Sequence, residues 1–330
     1  MKIAVFSTKS YDKIYLEKYK KGSKHTFSYF ETALNAEITN LTIGYDGVCV
    51  FVNDKIDKKT IENLAENGIK LIALRCAGFN NIDLESAKIS GIKVVRVPAY
   101  SPQAVAEHAV AMILTLNRKT HKVYNRVRES NFSLENLTGF NLFGKTVGVV
   151  GTGQIGIAFC KIMLGFGCKV LAFDIKKSDE LTALGVHYQS LENVLKSCDI
   201  VSLHCPLTPE TKHLFDESSF SKMKDGVMLI NTSRGALLKT KDAIVALKKG
   251  KIGYLGIDVY EQEEHLFFKD LSESIIQDDL IQRLISFPNV LITPHQGFFT
   301  EEALTQIAIT TLKNISDFEE GKDLENEVKL

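Results

Sequence analysis

Residues 146–156 read TVGVVGTGQIG: a short apolar strand, then glycines in the pattern G-x-G-x-x-G, then the helix-like run IGIAFCKIMLGFG. Gly151 permits the tight turn, Gly153 lets a pyrophosphate approach the backbone, and Gly156 allows the helix to pack closely on the strand. Free amides and the helix dipole at that start favour an anion. The next strand, KVLAFD, ends at Asp174, 18 residues after Gly156. A carboxylate there accepts hydrogen bonds from a ribose 2′-hydroxyl and repels a 2′-phosphate, so the pattern predicts a dinucleotide site that takes NAD rather than NADP.

Working outward, the apolar runs KTVGVVG, KVLAFD, DIVSLHC, GVMLINTS, YLGIDVY and NVLITPH recur with helix-competent segments between them. Strands without polar alternation are buried on both faces, which predicts a parallel sheet covered by helices. The first hundred residues repeat the style on a smaller scale in KIAVFS, GVCVFV, IKLIALR and IKVVRVP. The expected class is therefore α/β, with two Rossmann-like or flavodoxin-like parallel-sheet domains separated by a cleft. Residues 1–100 are expected to form a substrate domain and 101–299 the NAD-binding Rossmann domain. The apolar periodicity of Leu304, Ile307, Ala308, Leu312 and Ile315 predicts a helix within 300–330 that returns to complete the first domain. Ser101 and Pro102 open a long apolar helix, which the pattern expects to bury itself against the other domain or a second subunit.

Composition narrows the function. The 330 residues are 45% hydrophobic and 24% charged, as in ordinary globular proteins. Forty basic residues balance forty acidic ones, so no overall field draws nucleic acid or an anionic membrane. No segment reaches the length of a membrane span, and the N-terminal apolar run is too short for a signal peptide. Six scattered cysteines without a CxxC pair fit neither a metal site nor a disulfide framework and point to reduced core thiols. A cytoplasmic protein with a small-molecule substrate is expected.

Ligands of open parallel sheets bind beyond the carboxyl ends of the strands. Arg234 follows GVMLINTS, the run EQEE follows YLGIDVY, and His295 follows NVLITP. A guanidinium can bind a carboxylate and polarise a carbonyl, and a histidine supported by a carboxylate can donate a proton. Beside a nicotinamide these groups suit hydride transfer to a 2-oxo acid. Spacing alone does not choose among Glu261, Glu263 and Glu264.

Taken in order, GTGQIG…LAFD, LHCPLTPET, INTSRGALL, GIDVYEQEE and ITPHQGF resemble the D-2-hydroxyacid dehydrogenases over essentially the whole chain; VPAYSPQAVAEHAV and HLFFKDLSESIIQDDLIQRL look more narrowly like the fermentative D-lactate branch of bacteria. The resemblance implies Arg234 as the substrate-binding arginine, Glu263 as the carboxylate partner and His295 as the acid/base. It implies pyrophosphate contacts at Gln154 and Ile155, a loop over the cofactor at Cys205 and Pro206, and an adenosine-side contact at Thr211. Thr232, Ser233 and Arg234 would line the ribose side, and Asp258 would lie near the nicotinamide end. Backbone amides at Ala77 and Gly78 would meet the substrate carboxylate with Tyr100 beside them. Phe298 would close a pocket sized for a methyl group, which favours pyruvate and its product D-lactate. His108 and His204 are expected to be structural. Two departures from the family pattern are Glu264, often proline, and Gly297, alanine in many lactate dehydrogenases. The same chemistry on 2-oxoisocaproate, glyoxylate or hydroxypyruvate, or an NAD-sensing corepressor, are the alternatives; a homodimer or homotetramer is expected.

Overall fold

The computed structural model describes residues 1–20 and 22–329; Lys21 and Leu330, both within the expected first domain, lie outside the described residues. The chain divides into two compact units, Met1–Ser101 with Phe299–Leu330, and Pro102–Phe298.

Unit 1 opens with β1 (Lys2–Val5), α1 (Ser10–Tyr19), β2 (Thr26–Tyr29), β3 (Gly47–Val50), α2 (Lys58–Glu66), β4 (Leu71–Leu74), α3 (Leu84–Ile89) and β5 (Lys93–Val95). All its strand pairs are parallel, in the order β2-β1-β3-β4-β5. Every residue of β3 and β4 is buried, which is why neither strand alternates apolar with polar residues. Asp57 and Asp83 accept from Thr60 N and Ser86 N and so start α2 and α3.

Unit 2 begins with α4 (Pro102–Arg118) and α5 (Thr120–Arg128). It continues through β6 (Thr146–Val150), α6 (Gln154–Gly165), β7 (Lys169–Phe173), α7 (Asp179–Ala183), β8 (His187–Tyr188), α8 (Leu191–Ser197) and β9 (Ile200–Leu203). It ends with α9 (Glu217–Lys222), β10 (Val227–Asn231), α10 (Thr240–Lys248), β11 (Ile252–Ile257), α11 (Asp279–Ile285) and β12 (Val290–Ile292). Its seven-stranded parallel sheet runs β12-β11-β10-β9-β6-β7-β8, so the order reverses at β6 and β9. Neighbouring residues of one strand serve opposite faces. Val201, Leu203 and Leu229 enter one core cluster, while Ile200, Met228 and Ile230 enter the other.

The apolar face of α4 differs from its expected use. Ala106, Ala109, Val110, Met112, Ile113 and Leu116 pack with Val147, Val149, Phe159 and Met163 in the core of their own unit. The nearest large apolar surface after Pro102 is this sheet, so the helix covers it.

The last helix, α12 (Glu301–Glu319), is capped by Thr300 and belongs to unit 1. Its Ala308, Leu312 and Ile315 pack against Ile3, Val5, Leu16, Leu71 and Val95. Beyond it, Val328 N donates to Val94 O, which extends the β5 edge.

Candidate active site

The glycine turn lies where the strand order of unit 2 reverses. Gly151 has φ +96°, and a Cβ there would meet the backbone of His204 and Cys205. A Cβ on Gly156 would meet the carbonyl of Gly151, whereas one on Gly153 would meet open space. Gly153 is also the N-cap of α6 and supplies no side-chain cap. The first-turn N–H groups of Gln154, Ile155 and Gly156 consequently lack intrahelical acceptors, next to the open space at Gly153, an arrangement suited to a phosphate.

Asp174 follows β7 directly. Its Oδ2 accepts from Thr152 N (2.5 Å) and Thr152 Oγ1 (3.2 Å), and its Oδ1 from Lys176 N (2.9 Å). Each carboxylate oxygen has two lone pairs, so capacity remains for a ribose. Across the turn, Ser233 Oγ donates to Cys205 O (2.6 Å) and ties the segment after β10 to that after β9. Thr232 Oγ1 is buried and has no partner among the described residues. An orphaned hydroxyl just after β10, in the segment that Ser233 ties to Cys205, fits a bound nucleotide. Thr211, by contrast, spends its hydroxyl within its own loop, donating to Pro206 O (2.7 Å) and accepting from Thr208 N (2.7 Å). Burial pushes the Cys205 thiol up to about 11, which leaves it neutral. It also pulls His204 down to about 3; that ring, bonded to Ser202 Oγ and packed on Phe159, is a neutral strut beneath the turn. Replacing Asp174 with alanine should raise the KM for NADH and shift the NADH/NADPH ratio of kcat/KM toward NADPH by about tenfold; an unchanged ratio would remove Asp174 from ribose recognition.

Arg234, the EQEE run and His295 follow β10, β11 and β12, three adjacent parallel strands. The structure separates the three glutamates. Glu263 Oε1 stands 2.9 Å from His295 Nδ1, and its Oε2 accepts from Tyr260 N (2.9 Å). Glu261 instead meets His213 Nε2 (2.6 Å) and accepts from Thr240 N (3.2 Å), while Glu264 is exposed. With Nδ1–H donated to Glu263, His295 Nε2 is the nitrogen left to exchange a proton. Arg234 Nη1 donates to Ser233 O (2.7 Å), which orients the guanidinium and leaves its other donors for a ligand.

His295 has φ +58°, a left-handed conformation that costs a non-glycine residue about 1–2 kcal/mol. Asp258, 1% exposed at the end of β11, holds it. Asp258 Oδ1 accepts from Thr293 Oγ1 (2.5 Å) and Gln296 N (2.9 Å), and its Oδ2 from Gly297 N (2.8 Å). His108 of α4 completes the network, with Nε2 at 3.1 Å from Thr293 Oγ1 and 3.3 Å from Asp258 Oδ1. Burial would raise the Asp258 carboxyl, but hydrogen bonds from His108 and Thr293, with the field of both histidines, hold it below the usual carboxylate range. His108, expected to be structural, thus braces the loop of His295. A Cβ on Gly297 would stand 3.0 Å from Asp258 Oδ2 and 3.4 Å from His108 Cδ2, so glycine gives this pair its closest fit. Sequence reasoning missed Thr293 and the bracing role of His108, since nothing local marks a contact spanning 185 residues.

Ala77, Gly78 and Tyr100 belong to unit 1, whereas Arg234, Glu263, His295 and Phe298 belong to unit 2. Phe298 is buried and Tyr100 half-buried.

The reversed sheet order, the glycine cradle, the acid after β7 and the braced His–Glu pair define a nucleotide-dependent dehydrogenase. Residues 110–297 match the model of the D-isomer-specific 2-hydroxyacid dehydrogenase NAD-binding domain. The D-lactate dehydrogenase of Escherichia coli K12 is 52% identical over 328 residues, covering 99% of this chain and 100% of that protein. The apo structure of D-lactate dehydrogenase from Escherichia coli superposes with a TM-score of 0.91 at 50% identity, covering 100% of each chain. A structure described as the pyruvate reductase of Chlamydomonas reinhardtii gives 0.92 at 45% identity, over 99% of this chain and 98% of the other. This chain belongs to the D-isomer-specific 2-hydroxyacid dehydrogenase family, and its cofactor is NAD.

Proposed function

We propose that the protein reduces pyruvate to D-lactate. The observation that carries this reading is the His295–Glu263 pair at 2.9 Å, held on a loop braced by Asp258 beside the strand end of Arg234. Bound NADH supplies the hydride that adds to the carbonyl carbon. The free donors of Arg234 grip the substrate and draw electron density toward the carbonyl oxygen. His295 gives its Nε2 proton to that oxygen, and Glu263 steadies the imidazolium beforehand. Gln154, Ile155 and Gly156 hold the pyrophosphate through backbone N–H groups, Asp174 the adenosine ribose, and Thr232 and Ser233 line the ribose side of the nicotinamide end, near Asp258. Ala77 and Gly78 receive the substrate carboxylate, with Tyr100 and Phe298 limiting its side chain. In these terms 1–100 with 300–330 is the substrate domain and 101–299 the NAD domain.

The test is NADH oxidation with a panel of 2-oxo acids, followed by the handedness of the product. NADH-specific formation of D-lactate is expected. A clear kcat/KM preference for a larger acid would keep the chemistry and remove the roles of Tyr100 and Phe298.

Among the described residues no helix is long and apolar enough to cross a membrane. We place the protein in the cytoplasm on its six free, buried cysteines. We further infer a homodimer or homotetramer. Phe132, Leu134 and Phe143 are 73%, 82% and 80% exposed on the segment between α5 and β6, apolar side chains that a second copy would cover. Sedimentation should show a mass above the 36.8 kDa of one chain; a monomer at micromolar concentration would remove this inference.

A further inference from the structure

We propose that Arg96 is a positioning residue for the substrate: it draws the carbonyl side of the turn after β4 inward, so that the N–H groups of Ala77 and Gly78 stay available to a carboxylate. The identity of that carboxylate rests on the dehydrogenase reading above; the geometry lies wholly within unit 1.

The turn is fixed at its base by Arg75, the largest fully buried side chain among the described residues. Arg75 Nε donates to Asp12 Oδ1 (3.0 Å), Nη2 donates to Ser7 O (2.8 Å), and the guanidinium lies 5.0 Å from the centre of the Phe51 ring. The carbonyls of residues 76 to 79 each find a donor. Cys76 O accepts from Val97 N (3.2 Å), Ala77 O from Arg96 Nη1 (2.8 Å), Gly78 O from Cys76 Sγ (3.3 Å) and Phe79 O from Ile82 N (3.1 Å). The amides of Ala77 and Gly78 meet no acceptor among the described residues, and both residues are half-buried. Two adjacent, partly desolvated donors with their carbonyls turned away form a receptor for an anion.

Arg96 is suited to holding this arrangement because its planar guanidinium can donate and stack at once. While Nη1 bonds Ala77 O, the same group lies 5.1 Å from the centre of the Phe79 ring. Its backbone is anchored by the end of the chain. Arg96 N donates to Asn326 O (3.1 Å), Arg96 O accepts from Asn314 Nδ2 (2.9 Å), and Asn326 Nδ2 donates to Asn314 Oδ1 (2.8 Å). Through Arg96, α12 and the tail after it set the shape of a turn that lies more than 200 residues earlier in the chain. The Arg96 side chain meets the turn, through Ala77 O and the Phe79 ring, so truncating it should weaken substrate binding more than the chemical step.

The experiment compares wild type, Arg96→Met and Arg96→Lys by steady-state kinetics with pyruvate and NADH. It adds calorimetry of oxamate, an unreactive carboxylate of pyruvate's size, on the NADH-loaded protein. Arg96→Met should raise the KM for pyruvate and the Kd for oxamate about tenfold, as expected for loss of one charge-assisted hydrogen bond. The KM for NADH should stay within about twofold, and Arg96→Lys, which keeps a donor but not the stacking, should recover part of the loss. Pyruvate and oxamate affinities unchanged in Arg96→Met would overturn the proposal. So would equal losses for pyruvate and NADH, or a large fall in Tm with no recovery in Arg96→Lys, because either marks a general structural role. Wild type that turns over no 2-oxo acid removes the dehydrogenase reading and this inference with it. Wild type that turns over pyruvate and matches Arg96→Met removes this inference alone.

Discussion

Replacing His295 with alanine is expected to lower kcat for pyruvate reduction by about a hundred- to ten-thousand-fold, the usual contribution of a positioned general acid. The KM for NADH should change little, because nothing in the glycine cradle or at Asp174 depends on the imidazole. The loss should also alter the pH profile, since the proton leaves from Nε2 while Nδ1 is committed to Glu263 at 2.9 Å. Glu263→Gln keeps an acceptor for Nδ1–H but removes the charge that steadies the imidazolium. It should therefore fall between wild type and His295→Ala. Turnover retained in His295→Ala would move the proton donor to another group and leave the His–Glu pair as a structural contact.

The second large effect concerns Asp258. Asp258→Ala leaves Gln296 N, Gly297 N, Thr293 Oγ1 and His108 Nε2 without their shared acceptor. Breaking a buried charged network of this kind costs about 3 kcal/mol, and the unfolding midpoint of the protein should drop accordingly. Activity should fall as well, because the left-handed backbone of His295 is held on both sides by those bonds. The pH dependence follows from the depressed carboxyl. A group whose folded pKa lies below its unfolded value of about 3.9 contributes its full stability above that value. The contribution disappears as pH falls through the folded pKa, so wild type should lose it only below about pH 4. Asp258→Ala should lack this acid-side component. An unfolding midpoint unchanged from wild type would show that the loop holds its shape without Asp258.

Much of this architecture could be read locally. The strands of unit 2 are legible because burial on both faces removes polar alternation, and the turn at 151–156 is legible because each glycine answers a steric demand within a few residues of it. Gly151 and Gly156 are crowded by backbone, and Gly153 faces open space. The positions of Arg234, the EQEE run and His295 after their strands also followed from the chain, since parallel strands place all their carboxyl ends on one edge.

What the chain could not display is which side chain meets which across elements distant in sequence. Three glutamates in four residues were equivalent until the backbone after β11 turned Glu263 toward His295 and Glu261 toward His213. An apolar helix shows that a face will be buried but not by what, and α4 covers its own sheet. His108 and Arg96 look like unremarkable residues of a helix and a strand end. Their partners lie 185 and 19 residues away, at Thr293 and Ala77. Periodicity and glycine placement are local consequences of sterics and burial, so the sequence by itself determined the class of fold and the nucleotide turn. Hydrogen-bond partners are chosen by where the packed elements finally stand, so only the tertiary structure decided which groups brace the candidate acid and the carboxylate turn.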